Sequence, residues 1–446
     1  MYSRYKTPLW HKVAYWLFVI ISLAISLELL RRNLPRYLPK DWAAAHELDV
    51  LADWKAARLF RLGVNPYTSV GLSMLGMQQV GWPPTTGFWF LPMTDFPKAL
   101  VAEFMSLTAL ILLVPHVYLT AKTLKWPAPL CVSILILALV SATIWSRYHF
   151  DMIQVSEHIA FLYLVAWLCL RRGMDVRAGV CIGAAMTLKL FPGVMFIMLL
   201  FARRWRGAIA AGVTYWTVAV IMTMRYGIRA WQLFLEQEKP ITEGWLGSLQ
   251  NASLSGLVTQ SLFPFCETDP HPSKTGSIII SLVSVVLLLS AAWVTRANLK
   301  RYNEVDKSAI DLPFALFSLL SVFLNPFAWE HYYMLSLQPI LVVLTMLWCT
   351  LRTVCRRWAD DECSTGLLAS TGLIALSAVP AFAFVIRALA RDHWAVFTYR
   401  DLWRKTGIPL FHWQGHYFEV LNFAPWLIGL FYAFLITAYR NRLRIS

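Results

Sequence analysis

Residues 49–67 read DVLADWKAARLFRLGVNPY, and the rest of the chain is organised around this stretch. It carries too many charges to cross a membrane, yet its apolar residues recur at helical spacing, and Gly63 follows them as a candidate helix end. This pattern predicts an amphipathic helix that lies on a membrane surface. Asp49 and Asp53 are four residues apart, so they share the face away from the apolar stripe, and His46 can join them.

The composition is typical of a polytopic membrane protein. Of the 446 residues, 58% are hydrophobic and 15% are charged, whereas about 25% of a soluble protein is charged. The net charge of +15 does not indicate a nucleic-acid partner. Many of the basic residues lie in short clusters between apolar runs, as at 203–206 and 440–444, which is the pattern of the positive-inside rule.

Apolar runs predict a single all-α integral membrane domain over residues 1–446 with about twelve spanning helices. The expected spans are 13–30, 98–121, 127–146, 156–171, 175–190, 192–202, 207–226, 275–297, 309–324, 332–351, 366–388 and 422–439. The first is expected to be an uncleaved span, and both termini are predicted to be cytoplasmic. The long loops then face outward, and we expect function there: they are 31–97, 227–274 and 389–421.

One apolar stretch, residues 175–202, is interrupted at Lys189-Leu190-Phe191-Pro192. A proline and a lysine inside such a stretch favour two short helices that turn at Pro192. This reading also leaves the basic residues on both sides of the stretch on one side of the membrane.

Polar residues on the predicted outer side supply the candidate chemistry. A carboxylate at Asp49 or Asp53 is suited to act as a general base. Lys189 is a cation between two apolar half-helices and is suited to bind a lipid phosphate. Ionisable groups near the third and fourth spans, and the turn 325–333 (NPFAWEHYY), are costly at membrane depth unless they line a polar cavity. The groups near those spans are Arg147, His149, Asp151, Gln154, Glu157 and His158.

The ordered set of motifs resembles glycosyltransferase family 87 of the GT-C superfamily. The opening motif is Asp49, then Ala56-Ala57-Arg58, then Gly63-Val64-Asn65-Pro66-Tyr67. Later motifs follow in the same order: Trp82-Pro83-Pro84, Lys189-Leu190-Phe191-Pro192, Asn251-Ala252-Ser253-Leu254 and Asn325-Pro326-Phe327-Ala328-Trp329-Glu330-His331. The resemblance covers about residues 40–335.

This resemblance implies a GT-C-type fold of about a dozen membrane helices, with the active site under the first outer loop. It implies an inverting enzyme that takes a sugar, most often mannose, from a polyprenyl-phosphate donor and needs no cofactor or metal. Asp49 matches the catalytic base, and Lys189 and His331 match positions near the donor phosphate, to which we add Arg147. The residues expected to bind substrate are Asp53, Tyr67, Gln154, Asn251, Ser253, Trp329 and Glu330.

The chain departs from the family pattern in four places. Gln154 alone remains of a Gly-Gln-x-Asn motif, and Ala252 replaces a common Gln. Ala328 stands where the family has the Ser of a Ser-Trp pair, and Tyr332 replaces a second His. These changes bear on the sugar and the acceptor more than on the chemistry.

We therefore expect a transferase in the cell inner (plasma) membrane that moves a sugar to a glycolipid or glycan hydroxyl on the periplasmic or exterior side. Membrane lipid, the lipid-linked donor and the acceptor are the expected partners, and nucleic acid is not. One alternative is a transporter or flippase of polyprenyl-linked sugars, although no internal repeat supports it. Another is a glycan ligase with a diphosphate-linked donor, which four arginines in or next to the last outer loop favour: Arg387, Arg391, Arg400 and Arg404.

Overall fold

The architecture comes from a computed structural model. It describes residues 49–76, 81–126, 128–141, 152–246, 253–262, 274–301 and 307–342, with scattered positions in 16–31, 149–150, 251 and 344–349. Within these residues the chain forms helices and no β-strand. The predicted spans 366–388 and 422–439 lie outside the described residues.

Thirteen α-helices are numbered here in chain order. They are α1 (Asp49–Arg61), α2 (Ser69–Leu75), α3 (Thr86–Phe90), α4 (Lys98–Thr123), α5 (Pro129–Ser141), α6 (Ser156–Arg171), α7 (Asp175–Leu188), α8 (Gly193–Phe201), α9 (Trp205–Tyr226), α10 (Ile228–Leu246), α11 (Leu254–Leu262), α12 (Lys274–Arg301) and α13 (Asp311–Phe323). Short 3₁₀ helices occur at Leu91–Met93, Lys307–Ile310 and Glu330–Ser336.

Three of these helices are long and apolar enough to cross a membrane within the described part of the chain. They cover Lys98–Thr123, Trp205–Tyr226 and Lys274–Ala297, close to the spans predicted from the sequence. The expected break in 175–202 is confirmed, since α7 ends at Leu188 and α8 begins at Gly193. With 14 and 9 residues, α7 and α8 are about 21 and 14 Å long, which is less than the ~30 Å of hydrocarbon in a bilayer.

The helix α13 lies at the centre of the described helices. All 13 of its residues are buried, which is typical of a helix that is covered on every side. Its first residue, Asp311, accepts hydrogen bonds from Trp167 Nε1 at 2.8 Å and from Arg171 Nη1 at 2.7 Å. This buried acid is therefore paired and anchors α13 to α6.

Close helix packing places the break at 189–192. The helix α7 packs along α9, and a Cβ atom on Gly179 would overlap the carbonyl oxygen of Gly207, while one on Gly183 would overlap that of Ala211. Small residues spaced by four let helix backbones approach closely in membranes. The end of α7, and with it Lys189, is thus held against α9.

The apolar residues of α1 are buried within the protein, which the sequence did not predict. Buried residues occur on every side of the helix, and Val50, Ala57 and Phe60 are each at most 1% exposed. The reason is that residues 81–97 fold back over α1, and the indole of Trp54 donates to the carbonyl of Met93 at 2.8 Å. The face that carries the two acids is a wall of the protein interior rather than a solvated surface.

The first loop is also tied to the middle of the chain. Thr86 Oγ1 donates to the carbonyl of Leu188 at 2.8 Å, and Trp89 Nε1 donates to Thr187 Oγ1 at 2.8 Å. These two bonds satisfy polar groups at the C-terminal end of α7. They attach the loop that covers α1 to the two residues directly before Lys189.

Candidate active site

A cavity of about 520 Å³ lies where five segments meet. These segments are α1, the turn at 81–83, the break at 189–191, the helix α10 and the stretch 325–332. Residues 152 and 154 complete the wall. The lining residues are Asp49, Asp53, Gly81, Trp82, Pro83, Met152, Gln154, Lys189, Leu190, Phe191, Phe234, Glu238, Ile241, Asn325, Phe327, Trp329, His331 and Tyr332.

The two acids of α1 both line this cavity but differ in accessibility. Asp49 is exposed to the cavity, whereas Asp53 is 4% exposed. The side-chain amide of Gln154 donates to Asp49 Oδ2. In Asp53, Oδ1 is buried without a hydrogen-bond partner among the described residues. Asp49 is therefore the oriented and reachable carboxylate of the two.

Local backbone strain accompanies the placement of Gln154. The preceding Ile153 has a φ of 48°, which is a true outlier for a β-branched residue. The backbone N–H of Gln154 donates to the carbonyl of His149 at 3.0 Å, which closes this tight turn. Such conformations cost about 1–3 kcal/mol and persist only where the surroundings enforce them.

The charge of Lys189 acts on both acids of α1, Asp49 and Asp53. Protein atoms around Asp49 exclude much of the bulk water, and this desolvation raises its pKa, against the charge of Lys189 and the hydrogen bond from Gln154. Burial raises the pKa of Asp53 to about 7, with Lys189 lowering it and Asp49 raising it. Both carboxylates thus hold protons more tightly than ordinary aspartates, which makes each a stronger base when it is ionised.

Lys189 is an available cation. It lies in extended conformation (φ −148°, ψ 154°) directly after α7 and is half-buried. No carboxylate of the described residues lies within 4.0 Å of its ammonium group. A half-buried ammonium group without a close partner is positioned to bind an anion that enters the cavity.

The wall of the cavity also includes residues of the segment 325–332. His331 is 5% exposed, with its Nε2 buried and without a partner among the described residues. The ring of Tyr332 lies 5.0 Å from that of Phe191 and 4.6 Å from that of His331. An imidazole and a phenol hydroxyl therefore lie on the same wall as Trp329.

Asn251 and Ser253 hold this segment in place. Asn251 Nδ2 donates to the carbonyls of Leu246 and Pro326, both at 3.1 Å, and Oδ1 accepts from the backbone of Ser253 at 3.1 Å and of Ala328 at 2.9 Å. Ser253 Oγ also donates to the Pro326 carbonyl, at 3.0 Å. Neither residue lines the cavity, so their direct contribution is to the shape of the turn that carries His331.

The remaining predicted site residues divide as follows. Trp329 lines the cavity, while Tyr67 is buried behind it and donates from its hydroxyl to the carbonyl of Trp82 at 2.7 Å. Glu330 begins a 3₁₀ helix, but its side chain lies outside what the structure describes. Arg147 also lies outside the described residues.

Two ionisable groups of the fourth span point away from the cavity. Glu157 pairs with His116 at 2.8 Å, and His158 lies 2.9 Å from Thr108 Oγ1. Both are contacts between α6 and α4 within the helical core. They correspond to interhelical contacts, and Gln154 is the member of this group that lines the cavity.

Sequence reasoning missed the wall formed by α10. Residues 227–274 were expected to be an outer loop, but Ile228–Leu246 is a helix that brings Phe234, Glu238 and Ile241 to the cavity. Their spacing of four and three residues is a helical signal that the charged neighbours obscured. Tyr332 was also not expected to be part of the site.

A metal site does not emerge from the described residues, in which no group of three or more His, Cys, Asp or Glu side chains converges. The set of groups at the cavity is instead the carboxylate pair of α1, the carboxylate of Glu238, an ammonium group, an imidazole and several aromatic rings.

Fold and site together define a helical membrane protein with an acid–cation cavity. A family model, "Glycosyltransferase family 87", matches residues 82–322. No curated protein and no solved structure matches the chain. Since the matched range is more than half of the sequence, the chain belongs to glycosyltransferase family 87 and is a membrane glycosyltransferase. The match includes Gln154 and Lys189, and it ends before His331 and begins after Asp49.

Proposed function

We propose that the protein transfers a sugar, with mannose as the leading candidate, from a polyprenyl-phosphate donor to a hydroxyl of a glycolipid or glycan acceptor. The observation that carries this proposal is the meeting of an accessible carboxylate, Asp49, and an available cation, Lys189, in one cavity. A glycosyl transfer needs a base for the attacking hydroxyl and positive charge for the leaving phosphate.

Asp49 is the proposed base. Its carboxylate takes the proton of the acceptor hydroxyl as the oxygen attacks the anomeric carbon from the face opposite the phosphate. The bond between that carbon and the phosphate oxygen breaks, and its electron pair leaves with the phosphate. One displacement of this kind inverts the anomeric centre. Support for Asp49 over Asp53 comes from its exposure to the cavity and from the hydrogen bond that Gln154 donates to it.

Lys189 and His331 are the proposed phosphate-binding groups, with Arg147 as a third from the sequence. Negative charge grows on the phosphate as the bond breaks, and fixed donors aimed at that charge need no rearrangement during the reaction. Removal of one such donor costs about 2.7–4 kcal/mol in comparable sites. Trp329, Glu330 and Asp53 are proposed substrate contacts.

Tyr67, Asn251 and Ser253 are proposed to act on substrate through the segments that they position. Tyr67 fixes the backbone of Trp82, and the other two fix the turn before His331. We further propose that the enzyme lies in the plasma membrane with cytoplasmic termini and the cavity on the outer side.

The test is transfer of radiolabelled mannose from polyprenyl-phosphate-mannose by purified protein to a membrane-lipid extract. Wild type, Asp49→Asn and Asp53→Asn are compared. We expect Asp49→Asn to retain donor binding and to turn over more slowly by a factor of about 10²–10⁴, which is the usual contribution of a general base. Unimpaired turnover in Asp49→Asn would remove this residue from the mechanism. Transfer from a diphosphate-linked donor alone would replace the proposal with the ligase alternative.

A further inference from the structure

We propose that Glu238, on the cavity face of α10, binds the hydroxyl groups of a sugar ring, with Trp82 and Phe234 beside it. In calling this sugar the acceptor, the inference rests on the proposed function; the binding site itself is argued from the cavity alone.

The face of α10 toward the cavity is defined by spacing. Phe234, Glu238 and Ile241 follow one another at four and three residues, so they lie on one side of the helix, and all three line the cavity. This face alternates a ring, a carboxylate and an aliphatic side chain. Such a mixture fits a ligand with both hydroxyl groups and C–H surfaces, as a pyranose has.

Hydrogen bonds to two neighbouring segments hold α10 in place. Gln237 Nε2 donates to the carbonyl of Tyr67 at 2.5 Å, and Trp231 Nε1 donates to Thr223 Oγ1 at 2.8 Å. The ring of Phe234 also lies 6.0 Å from that of Tyr67. The backbone around Glu238 is therefore fixed before any ligand binds, which reduces the entropic cost of binding.

The carboxylate of Glu238 has unused acceptor capacity. Its contact among the described residues is a hydrogen bond from Thr242 Oγ1 at 3.0 Å, to one oxygen. Two other acids of α10 differ, because Glu236 pairs with Arg229 at 3.1 Å and Glu243 lies 4.0 Å from Lys239, all on the exposed side. An ionised carboxylate offers about four lone-pair sites, and sugar hydroxyls are donors for them.

The wall formed by α10 carries the anion Glu238, whereas the proposed donor side carries the cation Lys189. Lys189 acts on Asp49 and Asp53, and these three groups form one electrostatic cluster. A further anion beside the leaving phosphate would oppose its binding, so Glu238 is better suited to a neutral polyol than to the phosphate of the donor. Trp82 adds an indole ring to the cavity wall. Its backbone carbonyl accepts a hydrogen bond from the Tyr67 hydroxyl at 2.7 Å, which fixes its position.

The experiment measures sugar binding without donor. Full-length protein in lipid nanodiscs, free of glycoside detergent, is titrated with propyl α-mannoside and propyl β-glucoside by saturation-transfer NMR. Wild type is compared with Glu238→Gln, Glu238→Ala and the matched control Glu236→Gln, which makes the same change of charge on the exposed side of α10. Size-exclusion profile and denaturation midpoint establish that each variant is folded.

Hydrogen bonds to a charged group are the stronger kind, so we expect both Glu238 variants to lose at least about tenfold in affinity for one glycoside. Glu236→Gln should stay within about twofold of wild type. Equal affinities in Glu238→Gln and Glu236→Gln, or no binding of either glycoside to wild type, would overturn the inference. Glu238-dependent binding in a protein that transfers no sugar would leave the inference standing and count against the proposed function.

Discussion

Replacement of Asn251 by alanine tests whether the turn that carries His331 depends on a single side chain. Within the described residues Asn251 makes four hydrogen bonds, two as donor and two as acceptor, and it is 3% exposed. Its removal leaves the backbone N–H groups of Ser253 and Ala328 buried without that acceptor. A buried donor left unsatisfied costs about 1–3 kcal/mol, so the two together cost about 2–6 kcal/mol.

Hydrogen–deuterium exchange followed by mass spectrometry reads this loss locally. Since each 1.4 kcal/mol is a factor of ten, the peptide that contains Ala328 should exchange roughly 30-fold to 10⁴-fold faster in Asn251→Ala. A peptide within 156–171 serves as internal reference. The matched variant Ser253→Ala retains the Asn251 acceptor and loses two hydrogen bonds: the cap to the Gly256 amide at 3.1 Å, and the bond to the Pro326 carbonyl at 3.0 Å, which still accepts from Asn251. Loss of such a cap typically costs about 1 kcal/mol, so its effect should be smaller.

Two results would refute this reasoning. One is an exchange rate at Ala328 that is the same in Asn251→Ala as in wild type. The other is a larger effect of Ser253→Ala than of Asn251→Ala, since that order contradicts the hydrogen-bond arrangement.

Two further predictions concern charge in the cavity. Lys189→Met should lower kcat/KM by a factor of about 10²–10³. It should also move the acid limb of the pH–rate profile to higher pH, because the lysine charge lowers the pKa of Asp49 and the base must be ionised. Lys189→Arg keeps the charge and should keep this limb near its wild-type position. An unmoved limb in Lys189→Met would separate this cation from the base. For Asp53, the pKa of about 7 in the folded protein lies above the ordinary 3.8, so the folded form holds that proton more tightly and its ionisation costs stability as pH rises from about 4 to above 7. Asp53→Asn should therefore raise the denaturation midpoint more at pH 8 than at pH 5, and an equal shift at both would contradict the assignment.

Local signals in the sequence predicted much of the helical framework. The predicted span 156–171 coincides with α6, and the expected interruption at Lys189–Pro192 falls where α7 ends. Apolar length and a proline within a short run are properties of a few neighbouring residues, so they can be read without knowledge of the fold. The approach of Asp49, Lys189 and His331 to one cavity was also expected, although through the family resemblance rather than through spacing.

What the sequence did not predict depends on contacts between distant segments. The burial of α1 beneath residues 81–97 was not predicted, because periodicity alone cannot show what lies over a helix. The role of Asn251 depends on carbonyl and amide groups about 75 residues away, at 326 and 328. The helix at 228–246 was missed because its charges suggested a loop, although its apolar residues keep a helical period.

The bond between Thr86 and the carbonyl of Leu188 has a consequence for biosynthesis. It joins positions 102 residues apart, so the segment that covers the two acids of α1 cannot dock until α7 has been made. At 5–20 residues per second, the interval is roughly 5–20 s. The acids of α1 therefore gain this cover only after the segment that holds Lys189 has emerged, and the walls formed by α10 and by residues 325–332 are made later still.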